Sequence, residues 1–403
     1  MSLNDTADPR ANAGSAGDDH LDQPVDGAVK PVQQTQSGGY FYRWRNRLMA
    51  SGKFRRFAAL FPLTRPIVRH QARSLFDLVA GFTYSQTVFA LVEGGVIAAL
   101  EESAQPLSYL AARLAMSEDH AERLLMAGVS IGILTVKSGK WFGLTLQGAA
   151  LAGDPGIIAM VRHHRLLYQD LADPLALFRA DHPDTKLARY YGYAANSEAD
   201  ALTPAEVSHY SELMALSQRM VSAEIVSSLR FKGINHLWDI GGGAGVFART
   251  ALAHNPGLKI TLLDLPAVAD ASRDLPENKE QADRLTFEGG DFLKSAMPDS
   301  CDAVTLVRVL FDHDDTINQK LLAHIYDQMK PGMRLYIAEP MAETRGAHPV
   351  GHAYYGLYLK AMGMGRCRTF ATHAANLRTA GFSSVREIST PQPIITRLIE
   401  AQK

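Results

Sequence analysis

The residues best placed to do chemistry follow a short apolar run, His236-Leu237-Trp238, in the order Asp239-Ile240-Gly241-Gly242-Gly243-Ala244-Gly245, and precede a helix-forming run from Val246 to His254. Glycines at 241, 243 and 245 let the backbone turn tightly and approach a ligand where a Cβ would intrude. The helix behind them offers free N–H groups to whatever occupies the crevice at the strand's carboxyl end. A dinucleotide loop spaces its glycines G-x-G-x-x-G, and counting from Gly241 puts Val246 where the third glycine belongs. Here an acid leads instead. Asp239 would repel a pyrophosphate, whereas it suits the cationic amino-acid end of S-adenosylmethionine. Two more acids end the next two strand-like runs. Asp264 can accept both hydroxyls of a ribose, and Asp291 can accept an adenine amino group beside the ring of Phe292. Asp264 alone would serve NAD as well. Loop, Asp264 and Gly290-Asp291-Phe292 in that order point to a cofactor without phosphates, S-adenosylmethionine, released as S-adenosylhomocysteine, with no metal.

Positioning these groups requires parallel strands that end on one side. From Phe231 to Lys403 strand and helix signals alternate: HLWDIG, KITLLDL, RLTFEGGDF, DAVTLVRVL and RLYIAEP, with helices between. SVREIST and PIITRLIE are close enough to form a terminal antiparallel pair. The fold class expected is α/β, a doubly wound, mostly parallel Rossmann-like sheet over 231–403, with connecting helices over 161–230. Residues 77–160 predict a helix VFALVEGGVIAALEE, a second PLSYLAARLAMS, a third EDHAERLLMAGVSIGI, and two short strands around Ser138-Gly139. That is a winged-helix order. A DNA-reading helix should not lead with Ser117-Glu118-Asp119 and carry Arg123 as its fixed positive charge. A dimerising winged helix is the expectation, and a DNA-binding regulator with a vestigial cofactor pocket is the alternative.

Composition sets outer bounds. The 403 residues carry a net charge of -1 and are 46% apolar and 21% charged, so nothing global drives binding to nucleic acid. Two cysteines, Cys301 and Cys367, exclude a disulfide scaffold and point to reduced thiols in a cytoplasm. The N-terminus has no secretory pattern, and the apolar run Leu78–Val92 is expected to be too short to span a bilayer. Residues 1–39 hold six Asp and almost nothing to bury, and are expected to be a disordered tail. Residues 40–76 hold nine basic residues and no acid, interleaved with Tyr40, Phe41, Tyr42, Trp44, Phe54, Phe57 and Phe61. Such a segment suits an anionic membrane surface; an amphipathic helix packing on its own protein would look the same.

Through these motifs, residues from about 231 onward resemble the S-adenosylmethionine-dependent O-methyltransferases of the hydroxyindole and plant-phenol type. Their N-terminal halves are helical and winged, dimerise, and close over the substrate. The segments FPLTRPIVRHQARSLFDLVAGFTYSQ and LVRVLFDHDD are similar to one branch of that family, the carotenoid 1-hydroxyl O-methyltransferases of purple phototrophic bacteria. The resemblance implies that Asp239 and the loop Gly241, Gly242, Gly243 and Gly245 hold the cofactor. By the same resemblance Asp264 and Leu265 meet the ribose, Asp291 and Phe292 the adenine, and Arg308 reaches the cofactor from the fourth strand. The phenol-type enzymes place a base histidine in Leu-His-Asp-Trp-x-Asp. This sequence has Leu310-Phe311-Asp312-His313-Asp314-Asp315, so Phe311 occupies the base position and His313 replaces the tryptophan. One bracing glutamate becomes Cys367; the other is kept as Glu339.

The departures carry chemical meaning. A phenol ionises near pH 10, so a histidine shares its proton usefully, but an aliphatic alcohol is far less acidic. Methyl transfer to such an alcohol rests on alignment, which supplies roughly 7–11 kcal/mol at best. The candidates for proton handling are His313 and Glu339, with His313 read either as a relocated base or as a residue at a helix start. Asp312 and Asp315 are expected to be helix N-terminal residues. His352, Tyr354, Tyr355 and Tyr358, with Met362 and Met364, read either as an adaptable wall for a long substrate or as plain core. The expectation is a homodimeric enzyme that methylates the tertiary 1-hydroxyl of an acyclic carotenoid of the demethylspheroidene or hydroxyneurosporene type. It would be cytoplasmic, peripheral on the inner face of the membrane. A small phenol or indole is the alternative substrate.

Overall fold

The computed structural model describes residues 39–191, 204–229, 231 and 233–403; residues 1–38 of the expected disordered tail lie outside the described residues. The chain divides into two compact units, one ending at Gly81 and the other running from Phe82 to Lys403. The first contains α1 (Gly39–Ala50), α2 (Gly52–Leu60) and the opening turns of α3 (Arg65–Glu93). Ser51 caps α2, its Oγ accepting from the Phe54 N–H at 3.4 Å. The Thr64 hydroxyl donates to the Ala58 carbonyl at 2.7 Å and closes the turn before α3.

One sequence expectation fails at α3. The apolar run Leu78–Val92 belongs to a helix of 29 residues, which is long and apolar enough to cross a membrane by length and composition. Its last turn, however, is part of a globular core: Leu91 and Val92 pack with Val96, Leu110, Leu125, Leu134 and Phe142. The single helix predicted from Val88 to Glu102 is broken at Gly94-Gly95, where Gly95 takes φ 68 before the short α4 (Val96–Ala99). The winged unit continues with β1 (Gln105–Pro106), α5 (Leu107–Arg113), α6 (Glu118–Ser130), β2 (Leu134–Lys137) and β3 (Trp141–Leu144). The expected two-stranded wing is a three-stranded sheet in the order β1-β3-β2. Ser117 caps α6, and Glu118 and Asp119 occupy its first turn, where the helix dipole favours negative charge. Arg123 is paired with Asp119 at 3.0 Å.

Helices α7 (Leu146–Ala152), α8 (Pro155–Asp170), α9 (Pro174–Arg179), α10 (Lys186–Tyr190) and α11 (Pro204–Ser228) lead into the second sheet. Its strands are β4 (His236–Ile240), β5 (Lys259–Asp264), β6 (Leu285–Gly289), β7 (Ala303–Val307), β8 (Arg334–Glu339), β9 (Ser384–Ile388) and β10 (Arg397–Gln402). The order is β6-β5-β4-β7-β8-β10-β9, with β10 antiparallel to both neighbours and the other pairs parallel. The last strand starts later than expected, at Arg397, because the Ile395 and Thr396 N–H groups turn back to the Gln392 carbonyl instead of joining a ladder.

Buried side chains cover both faces of the sheet, as parallel strands require. Leu237, Ile260 and Leu262 pack with Val221 and Ile225 of α11 on one face. Trp238, Ile240, Val304 and Leu306 pack with Leu321, Leu322 and Ile325 of the helix Asp315–Gln328 on the other. Between the strands lie α12 (Val246–His254), α13 (Pro266–Arg273), α14 (Pro276–Lys279) and α15 (Asp315–Gln328), with α16 (Gly356–Met362) and α17 (Phe370–Thr379) near the end.

Candidate active site

The chain leaves β4 for β5 and β6 on one side and returns to β7 on the other, so a crevice opens at the carboxyl end of β4. Asp239 enters it from β4, fully buried, and its Oδ1 accepts from the Thr305 hydroxyl at 2.7 Å. Asp239 and Thr305 are register partners across β4 and β7; sequence reasoning missed Thr305, the one hydroxyl in the apolar run AVTLV. The other oxygen, Oδ2, has no hydrogen-bond partner among the described residues. A Cβ on Gly242 would stand 2.6 Å from it, so glycine keeps that oxygen open. Burial, reinforced by Asp264, pushes the Asp239 carboxyl up to about 7 against the pull of Thr305. An orphaned carboxylate oxygen beside bare backbone is satisfied by a cation. The residues therefore fit the amino-acid end of S-adenosylmethionine.

The loop bends as its glycines predict, with φ 71 at Gly241, 56 at Gly243 and 76 at Gly245. A Cβ at Gly241 would lie 2.7 Å from Val309 Cγ2. Asp264, at the end of β5, accepts from the Gly243 N–H through Oδ2 and from the Leu265 N–H through Oδ1, each at 2.8 Å. Each oxygen keeps a second lone pair for a ribose hydroxyl. Burial raises this carboxyl, and the two N–H donors oppose that rise. Asp291 lies two residues beyond β6. Its hydrogen bond to Lys294, 2.9 Å away, holds it below the usual carboxylate range. Its Oδ1 also accepts from the Leu293 N–H at 2.9 Å. Phe292 faces the ring of His313, centroids 5.2 Å apart.

Beyond β7 the chain turns sharply. Arg308 takes φ 57, and a short 3-10 turn covers Leu310–Asp312. The Arg308 guanidinium donates to the Ser217 hydroxyl at 3.0 Å and lies 5.7 Å from the centre of the Phe311 ring. Asp312 is not a helix N-terminal residue. The N-cap of α15 is Asp314, whose Oδ1 accepts from the Ile317 N–H at 2.7 Å, while Asp312 sits in the electrostatic reach of Arg308 with its Oδ1 unpartnered among the described residues. Burial raises its carboxyl to about 7, and Arg308 opposes the rise. His313 does not cap the helix either. Burial lowers its imidazole, with Arg368 adding to the effect and Asp314 opposing it, so the ring is neutral near pH 7.

Glu339, at the end of β8, is fully buried, and its Oε1 accepts from the Phe311 N–H at 3.1 Å. Burial pushes it up to about 8 and pushes the neighbouring His373 down to about 4. Their facing atoms stand 3.5 Å apart as a neutral pair rather than an ion pair. Glu339 thus braces the backbone of the turn that carries Phe311. Sequence reasoning missed Arg368, which ties that turn from the far side. It donates to the carbonyls of Leu310 and His313, both at 2.9 Å, and pairs with Asp315 at 2.7 Å. Cys367 beside it is buried, its thiol raised to about 12 by burial and donating to the Pro340 carbonyl.

Aromatic side chains close the other side. Phe311 meets Tyr355 edge-on at 6.2 Å and belongs to a cluster with Tyr191, Tyr358, Leu359, Met362 and Cys367. Within it the Tyr191 and Tyr358 hydroxyls are 2.6 Å apart, and His163 Nε2 reaches both at 3.2 and 3.1 Å. His164 Nε2 meets the Tyr354 hydroxyl at 2.7 Å. Burial lowers His163 to about 4 and raises Tyr354 and Tyr358 well above 10, so this polar layer is uncharged near pH 7.

The chain matches the O-methyltransferase domain over residues 168–383 and the O-methyltransferase dimerisation domain over residues 76–153. It belongs to the S-adenosylmethionine-dependent O-methyltransferase family, and it is an enzyme of that class that carries the family's dimerisation domain. Among its relatives, demethylspheroidene O-methyltransferase of Cereibacter sphaeroides is 35% identical over 88% of this chain and 93% of that protein. The enzyme of the same name from Rhodobacter capsulatus is 34% identical over 99% of this chain and 98% of its own. The crystal structure of human N-acetylserotonin methyltransferase in complex with S-adenosylmethionine matches with a TM-score of 0.70. It is 26% identical and covers 83% of this chain and 97% of that one.

Proposed function

We propose that this enzyme, a homodimer, methylates the tertiary 1-hydroxyl of an acyclic carotenoid of the demethylspheroidene or hydroxyneurosporene type. It works in the cytoplasm, peripheral on the inner face of a membrane. The observation that carries the substrate is Phe311. Where a phenol-type enzyme needs an imidazole, this site has a buried ring joined to an uncharged wall of Tyr355, Tyr358 and Met362. Such a wall suits a polyene, and two relatives that span nearly the whole chain bear the corresponding name. Its two cysteines are buried and unpaired, in keeping with a reducing compartment.

Bound in the crevice, S-adenosylmethionine supplies a methyl carbon made electrophilic by its sulfonium. The protein's own residues hold the hydroxyl in line with that carbon and take up the proton. A tertiary alcohol keeps its proton until the new O–C bond is largely formed; the oxygen is then strongly acidic, and a weak base suffices. Glu339 is protonated near pH 7 and committed to the Phe311 N–H. His313 is neutral, but it lies against Phe292 on the adenine side. Asp312 has a free oxygen, a value near 7, and Arg308 to favour its carboxylate. It is the acceptor in this mechanism.

The test is turnover of 1-hydroxylated acyclic carotenoids in detergent, set against small phenols, with mass detection of one added methyl group. Methylated phenols and an unchanged carotenoid would refute the assignment. In the same assay Asp312→Asn is expected to lower kcat about 100-fold, the usual scale for a lost general base. Because the acceptor is the carboxylate, the wild-type rate rises as pH increases through about 7. That rise disappears in Asp312→Asn and survives in His313→Ala.

A further inference from the structure

Helices α1 and α2 end before residue 76, where the match to the dimerisation domain begins, so the family's dimerisation domain does not account for them. At 100° per residue Tyr40, Phe41, Trp44 and Leu48 share one face of α1, with Arg43 and Arg47 along one edge and Arg45 along the other. On α2, Phe54 and Phe57 share a face continued by Phe61, with Arg55 and Arg56 opposite. The Phe57 and Phe61 rings stack at 5.6 Å. Tyr40, Phe41, Tyr42, Trp44, Phe57 and Phe61 are all at least 41% exposed, as are Leu60 and Leu63. Large rings exposed in this number mark a contact surface.

Charge decides the partner. Arg43, Arg45, Arg47, Lys53, Arg55 and Arg56 occur without one acid between Tyr40 and Phe76. A second copy of this chain is a poor occupant, since a two-fold interface would set the same cationic patch against itself. Nucleic acid would neutralise the arginines but leave Leu60, Leu63 and the phenyl rings in water. We propose that α1 and α2 form a docking surface for an anionic lipid bilayer, the rings entering the acyl boundary and the arginines meeting the headgroups. The inference deepens the membrane-peripheral reading proposed above and rests on it, but not on the carotenoid assignment, because lipid binding is read without turnover.

The experiment is flotation of the full-length protein with vesicles of phosphatidylcholine alone and of phosphatidylcholine with phosphatidylglycerol. Flotation is expected only with the anionic vesicles, weakening as salt is raised. Each basic residue near such a surface contributes about fivefold, so Arg55→Gln with Arg56→Gln is expected to lower partitioning about 30-fold. Trp44→Ala with Phe57→Ala weakens it at low and high salt alike. In both variants S-adenosylmethionine binding by calorimetry and solution mass by light scattering stay unchanged, which reports intact folding. Failure of the wild type to float with anionic vesicles overturns the proposal. So does displacement from the vesicles by duplex DNA, or a change in solution mass on replacing Trp44 and Phe57.

Discussion

Asp239, Asp312 and Glu339 share one physical condition: burial makes their charged form expensive, and each sits well above the ordinary carboxylate range. For Asp239 a cationic ligand, as proposed for this crevice, would restore the carboxylate and satisfy Oδ2. For Glu339 no such ligand is at hand, and the neutral acid is the resting state. Its value of about 8 against an ordinary 4.5 means that the folded protein keeps a proton that the unfolded chain loses. The stabilisation it contributes is complete below 4.5 and is lost as pH rises through about 8. His373 acts oppositely. Held at about 4 against 6.5, it contributes stability that is present above 6.5 and lost as pH falls through 4. Glutamine keeps the acceptor for the Phe311 N–H and offers a donor toward His373. Glu339→Gln is therefore expected to flatten the fall in Tm of the cofactor-free protein between about pH 5 and 8. Parallel curves for wild type and variant would show that Glu339 is already ionised.

At the scale of elements, what is local in sequence was legible and what is assembled from distant pieces was not. The acidic glycine loop, the strand ends bearing Asp264 and Glu339, and the antiparallel terminal pair follow from spacing and periodicity, and the structure places them so. The placement of Asp312 did not follow, because it depends on a 3-10 turn pinned by Glu339 and Arg368 from two other segments. Nor did the His163, Tyr191 and Tyr358 contacts, whose partners lie 28 to 195 residues apart. The third strand of the wing was missed because Gln105-Pro106 is too short for any alternation to register. The glycine loop tests the legible part. Alanine at 241 must adopt φ 71 and press its Cβ to 2.7 Å from Val309, a combined cost of about 1–3 kcal/mol. Gly241→Ala is expected to lower Tm and to weaken S-adenosylmethionine binding at least tenfold by calorimetry, while Gly257→Ala, with open space around it, leaves both unchanged.

The whole molecule is decided by what covers α3. Ile67, Leu75, Leu78, Val79 and Phe82 are between 59% and 79% exposed in the single chain. The last four fall at spacings of 3, 4 and 7, a stripe about 100° wide. A helix that crosses lipid is apolar all round, whereas this one carries Arg69 and Arg73 off the stripe. A one-sided stripe fits helix against helix, and from residue 76 it lies inside the dimerisation domain. A two-fold axis would let the same stripe serve both subunits. Leu78→Glu with Phe82→Glu is therefore expected to convert the dimer into a species near the chain mass of 44.0 kDa by light scattering. Because neither residue belongs to α1 or α2, anionic-vesicle flotation should persist in the monomer. Retention of the dimer mass would move the interface elsewhere in the dimerisation domain, and loss of both dimer and flotation would mean that α3, rather than α1 and α2, meets the lipid.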